Sequence, residues 1–176
     1  VGGPVLLAAV RDFTPQATRA LVKEEVAARE QTEADLGKAR SIQAKLLPES
    51  LPLVDGYDIG AYYRASREVG GDYYDVIPLG DGTYGLAIAD VSGKGVSGAM
   101  GMVMTRGVLR MVAPWSRSAK ETIVRLNHHL QREMLQGMFV TAAYAILEPT
   151  ERRLTVCLAG HNPPLVYRHK TRRGEY

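Results

Sequence analysis

Asp81-Gly82 narrows the fold more than any other feature of the chain. It stands between two strand-like runs, Tyr73–Leu79 and Tyr84–Asp90. An Asp-Gly pair there predicts a two-residue hairpin, because glycine takes positive φ freely and aspartate tolerates it. With Gly80 facing Thr83, counting outward sets Asp72 opposite Val91 and Asp90 opposite Tyr73. Two acids far apart in sequence thus reach one end of one hairpin. Gly70-Gly71 precede the first, and Gly93 and Gly95 follow the second. Glycines let backbone approach an ion or a phosphate closely. Paired carboxylates repel each other unless a proton or a cation joins them. A divalent ion held by oxygen ligands suits Mg²⁺ or Mn²⁺. The alternative is a pair of turn aspartates with no chemistry.

Upstream, Gln16 to Leu47 contains one glycine and no proline, and its Ala, Glu, Lys, Arg, Gln and Leu favour helix. Leu21, Ala28, Asp35 and Ile42 recur every seven residues, as do Glu25, Thr32, Ala39 and Leu46. Half of these are polar, so the seam fits either a coiled coil with a second copy or a single helix lying on its own domain. Pro48 and Pro52 end the helix. Before it, Pro4–Val10 reads as a short strand that cannot bury itself alone. It is either the last strand of an upstream domain or an unstructured start. The Asp12-x-Thr14 exit resembles that of PAS sensor domains. Three segments follow: 1–15 as the end of an upstream domain, 16–47 as a linker helix, and 48–176 as the main domain.

Within the main domain, Tyr57–Tyr63 reads as a first strand. On Tyr84–Asp90, Leu86, Ile88 and Asp90 share one face and Ala87 and Ala89 the other, a small-residue face on which another layer packs closely. Gly95–Ala113 reads as a helix apolar on most sides and therefore buried, its methionines filling core. Its N-terminus points toward the carboxylate end of the hairpin, a place suited to phosphate. Ser118-x-x-Glu121 is a capping box for a further helix with the stripe Ile123, Leu126, Leu130, Met134. His128 and His129 flank that stripe as exposed or structural residues. Phe139–Leu147 and Leu154–Leu158 are two more strands, and Leu165–Tyr167 follows Gly160-His161-Asn162-Pro163. Strands, two helices, then strands make an α+β pattern with antiparallel sheets.

Composition excludes several classes. A net charge of +3 with scattered basic residues argues against nucleic-acid binding. No apolar run approaches the ~20 residues that span a bilayer. The single Cys157 rules out an internal disulfide and suits a cytoplasmic protein. Gly93-Lys94-Gly95 is not a Walker A loop, since Ile88 occupies the expected glycine position and no Ser or Thr follows Lys94. Gly70-Gly71-Asp72 is similar to the diguanylate cyclase hairpin, but Tyr73-Tyr74 stand where Glu-Phe is required; a nucleotide cyclase is the least favoured reading.

From Gln43 onward the chain resembles the SpoIIE/RsbU-type serine phosphatases, a bacterial branch of the metal-dependent PP2C family. The matching stretches are Gln43–Pro48, Glu68–Asp75, Ala89–Val96, Leu126-Asn127, Met138–Thr141 and Ala159–Pro164, in that order. The resemblance implies a PP2C-like αββα sandwich of two antiparallel sheets and a site for two ions, Mn²⁺ or Mg²⁺, that activate a water for in-line attack on phosphorus. By motif position, Asp72 and Asp90 are metal ligands and catalytic residues, and the Val91 carbonyl is a third ligand. Arg64, Arg67 and Lys94 are phosphate-binding candidates, and Gly71, Gly93, Gly95, His161 and Asn162 belong to site loops. The implied substrate is a phosphoserine or phosphothreonine on a STAS-type anti-sigma-factor antagonist. An upstream sensor would signal through the linker helix, with a homodimer through 16–46. The family pattern continues with a Thr-Asp-Gly strand and a late Asp that this sequence, ending at Tyr176, does not contain. The expectation is a C-terminally incomplete domain with weak metal binding and low activity. That keeps open a second function, a pseudophosphatase that grips its partner without hydrolysis.

Overall fold

The computed structural model describes residues 15–65 and 68–175. The expected upstream strand and Arg67 lie outside the described residues. The chain divides into two compact units at Lys38/Ala39. Across both runs helix α1 (Pro15–Leu46). It opens on proline, which loses nothing in a first turn whose N–H groups have no helical partner. In the first unit the helix carries the surface pairs Arg29–Glu33 at 2.8 Å and Lys38–Asp35 at 2.9 Å. Such pairs add a few tenths of a kcal/mol each, ~0.2–0.5. Leu21, Val22 and Val26 are exposed on it.

The second unit is α+β. Its strands are β1 (Asp72–Gly80), β2 (Thr83–Val91), β3 (Val140–Glu148) and β4 (Arg153–Ala159), hydrogen-bonded in that order and antiparallel throughout. Between β2 and β3 the chain runs through α2 (Val96–Val112), a 3₁₀ turn (Ala113–Trp115) and α3 (Ala119–Glu133). A second antiparallel sheet pairs β5 (Val166–Arg168) with β6 (Arg173–Glu175).

The hairpin turns where Asp81-Gly82 predicts it, with Asp81 at φ 49° and Gly82 at φ 69°. Its register differs from the count. Gly80 faces Thr83, but Pro78 faces Tyr84, so Leu79 is an unpaired extra residue and Asp72 lies opposite Asp90 rather than Val91. A β-bulge of this kind shifts all pairing beyond it by one residue. Side chains alternate along a strand, so the shift also decides faces. Asp72 and Asp90, directly opposed, project from the same face; in the unbulged register they would project from opposite ones.

Alternate residues Tyr73, Asp75 and Ile77 of β1 pair with Ala89, Ala87 and Gly85 of β2. This face is the core. Tyr73, Asp75, Ile77, Ala89, Ala142 and Tyr144 are buried on it, beneath Met102, Leu109, Leu126 and Leu130 of the helices. α2 packs closely on this face: a Cβ on Gly101 would collide with a Val91 methyl. The buried Asp75 is held by an ion pair whose other member is partly exposed. Arg110 of α2 grips Asp75 through Nε at 2.6 Å and Nη2 at 2.8 Å, and the Tyr73 hydroxyl donates to the same carboxylate at 2.6 Å.

α3 begins with the Ser118 half of the expected capping box, the return bond falling one residue earlier. Ser118 accepts from the Glu121 N–H at 3.1 Å, while the Glu121 carboxylate reaches back to the Arg117 N–H at 2.8 Å. Two expectations are corrected. Tyr57–Tyr63 is not a strand: Tyr57 makes an isolated bridge to Val54, and the rest forms no ladder. Apolar alternation makes a strand only where a partner edge is available to it. α2 is not buried all round. It rests on the sheet by Gly98, Gly101, Met102, Thr105 and Leu109, while Val96, Met100, Val103 and Met111 are exposed.

Candidate metal and phosphate site

At the open end of the hairpin, three strands contribute one residue each to a single row: Asp72, Asp90 and Thr141. His161 closes the row, its Nδ1 hydrogen-bonded to Thr141 Oγ1 at 2.9 Å. Asp72, Asp90 and His161 share a pocket of about 310 Å³ with Tyr62, Tyr63, Arg64, Tyr74 and Ile88. A larger hollow of about 350 Å³, between Leu126, Leu130, Met134 and Phe139, is lined by no titratable side chain.

The electrostatics of the row follow from its geometry. The Asp72 carboxyl is pushed above its ordinary range, first by desolvation, then by the charge of Asp90 and a hydrogen bond to it; His161 opposes the shift. Burial, and then Asp72, raise the Tyr63 phenol as well. Two carboxylates that resist being charged together are relieved by a cation between them.

The backbone around the pair is crowded in a way only glycine allows. A Cβ on Gly71 would fall less than 3.0 Å from the Val91 carbonyl oxygen and 3.2 Å from the Val91 Cβ. The Val91 N–H in turn donates to the Gly71 carbonyl at 3.3 Å. Gly98, in the first turn of α2, meets the Gly93 carbonyl and the Gly71 amide in the same way. The loop after Asp90 is pinned from the other side. Ser92 N–H donates to the Phe139 carbonyl at 2.8 Å, and Phe139 N–H to the Ser92 hydroxyl at 2.8 Å. Gly93 and Gly95, at φ 110° and 64°, make the turn into α2.

The residues present fit a divalent cation in part. Asp72 and Asp90 are hard oxygen donors on one face, as Mg²⁺ or Mn²⁺ prefers. Among the described residues, no group of three or more His, Cys, Asp or Glu side chains is placed to hold a metal.

Of the other residues singled out from sequence, Arg64 lines the pocket. Lys94 and Asn162 are exposed and are not among the residues lining it. Sequence reasoning did not single out Thr141, Tyr62, Tyr63 or Ile88 as site residues. The β2-to-β3 connection passes through two helices, so no turn offered a register from which Thr141 could be counted opposite Asp90.

Comparison with known proteins bears on this site. The family description "Stage II sporulation protein E (SpoIIE)" matches residues 80–175. Phosphoserine phosphatase RsbU of Bacillus subtilis is 29% identical over 132 residues, which cover 75% of this chain and 39% of RsbU. Phosphoserine phosphatase RsbP of the same organism is 31% identical over 139 residues, 76% of this chain and 34% of RsbP. The chain thus spans well under half of the length of these relatives. Among solved structures, the SiaA-PP2C domain of Pseudomonas aeruginosa superposes with a TM-score of 0.65 at 25% identity, covering 76% of this chain and 55% of that one.

Proposed function

The chain belongs to the SpoIIE family of PP2C-type phosphatases, and from that premise we propose that it hydrolyses phosphoserine or phosphothreonine on a STAS-type anti-sigma-factor antagonist. The observation that carries this reading is the direct opposition of Asp72 and Asp90 on one sheet face, in a pocket that Arg64 and His161 also line. A resident pair of Mn²⁺ or Mg²⁺ ions would supply an activated water and offset phosphate charge.

The chain's own residues have distinct tasks in this account. Asp72 and Asp90 would hold the cation by their carboxylates, and Val91 by its carbonyl. Gly71 lets the backbone before Asp72 lie against that carbonyl, and Gly98 lets α2 lie against the Gly93 carbonyl. Arg64 gives the pocket wall a positive charge to orient the phosphate; Lys94, and Arg67 by its motif position, are further candidates. Thr141 holds His161 by one ring nitrogen, which leaves the other free to contact substrate. Gly93, Gly95 and Asn162 shape the loops on either side.

A homodimer through residues 16–46, an upstream sensor and a cytoplasmic site of action complete the proposal. The exposed Leu21, Val22 and Val26 support the first. For location, no helix among the described residues is long and apolar enough to cross a membrane.

The test is Mn²⁺-dependent phosphate release from a phosphoserine STAS protein by the full natural chain. Release that rises with Mn²⁺ and is abolished in Asp72→Ala and Asp90→Ala is expected. One observation favours the second reading, the pseudophosphatase: the site has two carboxylates and no third among the described residues. Tight partner binding without phosphate release would establish that function instead.

A further inference from the structure

Gln43 is an interior polar side chain in the last turns of α1, and it is only 5% exposed. Its partners are both polar atoms of one residue. Nε2 donates to the Gly70 carbonyl at 2.8 Å, and Oε1 accepts from the Gly70 N–H at 3.1 Å. A carboxamide that satisfies the N–H and the C=O of a single residue imitates the pairing of a neighbouring strand. It fixes the peptide planes on both sides of Gly70. An amide carries both the donor and the acceptor on adjacent atoms, whereas a carboxylate offers no donor and Lys or Arg no acceptor.

Gly70 is followed by Gly71, which is packed against the Val91 backbone without room for a Cβ, and then by Asp72. The segment that carries Gln43 is itself anchored. The Arg106 guanidinium of α2 donates to the Leu46 carbonyl, and the Tyr74 hydroxyl of β1 donates to the Pro48 carbonyl at 3.3 Å. Residues 43–48 are therefore tied to three places: the loop entering β1, β1 itself and α2. Of these ties, only the one from Gln43 bears on the backbone next to Asp72.

We propose that Gln43 is a positioning residue for the metal site: its two hydrogen bonds to Gly70 set where the Asp72 carboxylate stands opposite Asp90. This rests on the phosphatase reading above. A merely structural role would cost stability when lost and leave cation affinity alone. A positioning role changes affinity, because groups that orient a ligand without touching the ion typically matter by about 10–100-fold.

The experiment measures Mn²⁺ binding by electron paramagnetic resonance and hydrogen exchange at the Gly70 amide. Both are read in the full natural chain and in Gln43→Leu, Gln43→Glu, Asp72→Ala and Leu47→Val. Gln43→Leu removes both bonds. Gln43→Glu keeps the size and the acceptor but sets an oxygen against the Gly70 carbonyl, and it carries the test if Gln43→Leu does not fold. The expected result is a roughly tenfold or greater loss of Mn²⁺ affinity in either Gln43 variant, with faster Gly70 exchange. For turnover, kcat falls while KM for the phosphoprotein is unchanged. Leu47→Val, a trim in the neighbouring core, is expected to lower the melting temperature at wild-type Mn²⁺ affinity. Wild-type affinity in the Gln43 variants, with Asp72→Ala impaired, overturns the role of Gln43 alone. Affinity that survives Asp72→Ala overturns the phosphatase reading and this role with it.

Discussion

Gly71→Ala is the sharpest test of the site, because the collision it creates is with backbone. The added Cβ would stand under 3.0 Å from the Val91 carbonyl oxygen and 3.3 Å from its carbon. Neither is a flexible side-chain end that can turn away. Relief requires the loop before β1 and the end of β2 to part by about half an ångström or more, in an interior that is close-packed. Overpacking of this kind costs about 1–3 kcal/mol, which lowers the melting temperature by several degrees in a unit of this size. The functional effect is larger than the loss of stability. The atoms that move are the Val91 carbonyl and the backbone leading to Asp72, and misplacement on the scale of 1 Å costs on the order of 100-fold in rate. The assay is kcat/KM on a phosphoserine protein at saturating Mn²⁺, with Mn²⁺ affinity measured separately. A drop of about 100-fold, or about 2.7 kcal/mol of transition-state stabilisation, is expected together with weaker Mn²⁺ binding. A folded Gly71→Ala protein with wild-type turnover and Mn²⁺ affinity would refute the assignment of Val91 and the geometry argued from it.

Other outcomes follow from the same structure. Arg110→Leu leaves the Asp75 carboxylate, 1% exposed, with the Tyr73 hydroxyl and the Val76 N–H but no charge partner. Chemical denaturation should show a loss of about 3 kcal/mol, the low end for breaking a buried pair because Arg110 is itself partly exposed; a loss below about 1 kcal/mol would contradict the assignment. Gly107→Ala is the opposite case: its Cβ meets nothing within 4 Å on an exposed face of α2. A gain of about 0.8–1 kcal/mol from helix propensity, with activity unchanged, is expected in the same measurement. Asp72→Asn should raise the melting temperature of the metal-free protein at pH 7 while abolishing Mn²⁺ binding. The fold raises the Asp72 carboxyl above 3.8, so its protonated form is the stabilising one. That contribution is present below pH 3.8 and is lost as pH rises through the raised value. The gain is a fraction of a kcal/mol, since both carboxylates are exposed to solvent screening. An unchanged or lower metal-free melting temperature at pH 7 would count against the repulsion between Asp72 and Asp90.

What the sequence discloses, and what it withholds, depends on how local the cause is. The Asp81-Gly82 turn, the Ser118 cap and the helical runs were legible because each is decided by neighbours within a few residues. The pairing of Asp72 with Asp90 was legible only as to which end of the hairpin they share. Their common face depends on Leu79 being skipped, and a two-residue turn signal says nothing of an extra residue beside it. Tyr57–Tyr63 has the alternation of a strand but no ladder, a fact about tertiary arrangement. Gln43 was visible as part of a motif, but its bond to Gly70 spans 27 residues and becomes apparent only once the end of α1 is placed beside β1.

The unpaired Leu79 makes the catalytic proposal a question of parity. Six strand residues, Tyr73 to Pro78, separate Asp72 from the bulge, a distance of roughly 20 Å along the strand. Deleting one paired residue from either strand, with Leu79 still skipped, would leave every acid, glycine and histidine of the motif in the sequence while sending Asp72 and Asp90 to opposite sides of the sheet. Motif matching alone would score such a chain as intact. Among relatives that keep the unpaired residue, an odd change in length between Asp72 and Asp90 signals lost chemistry, whereas an even change leaves the two carboxylates facing the same way.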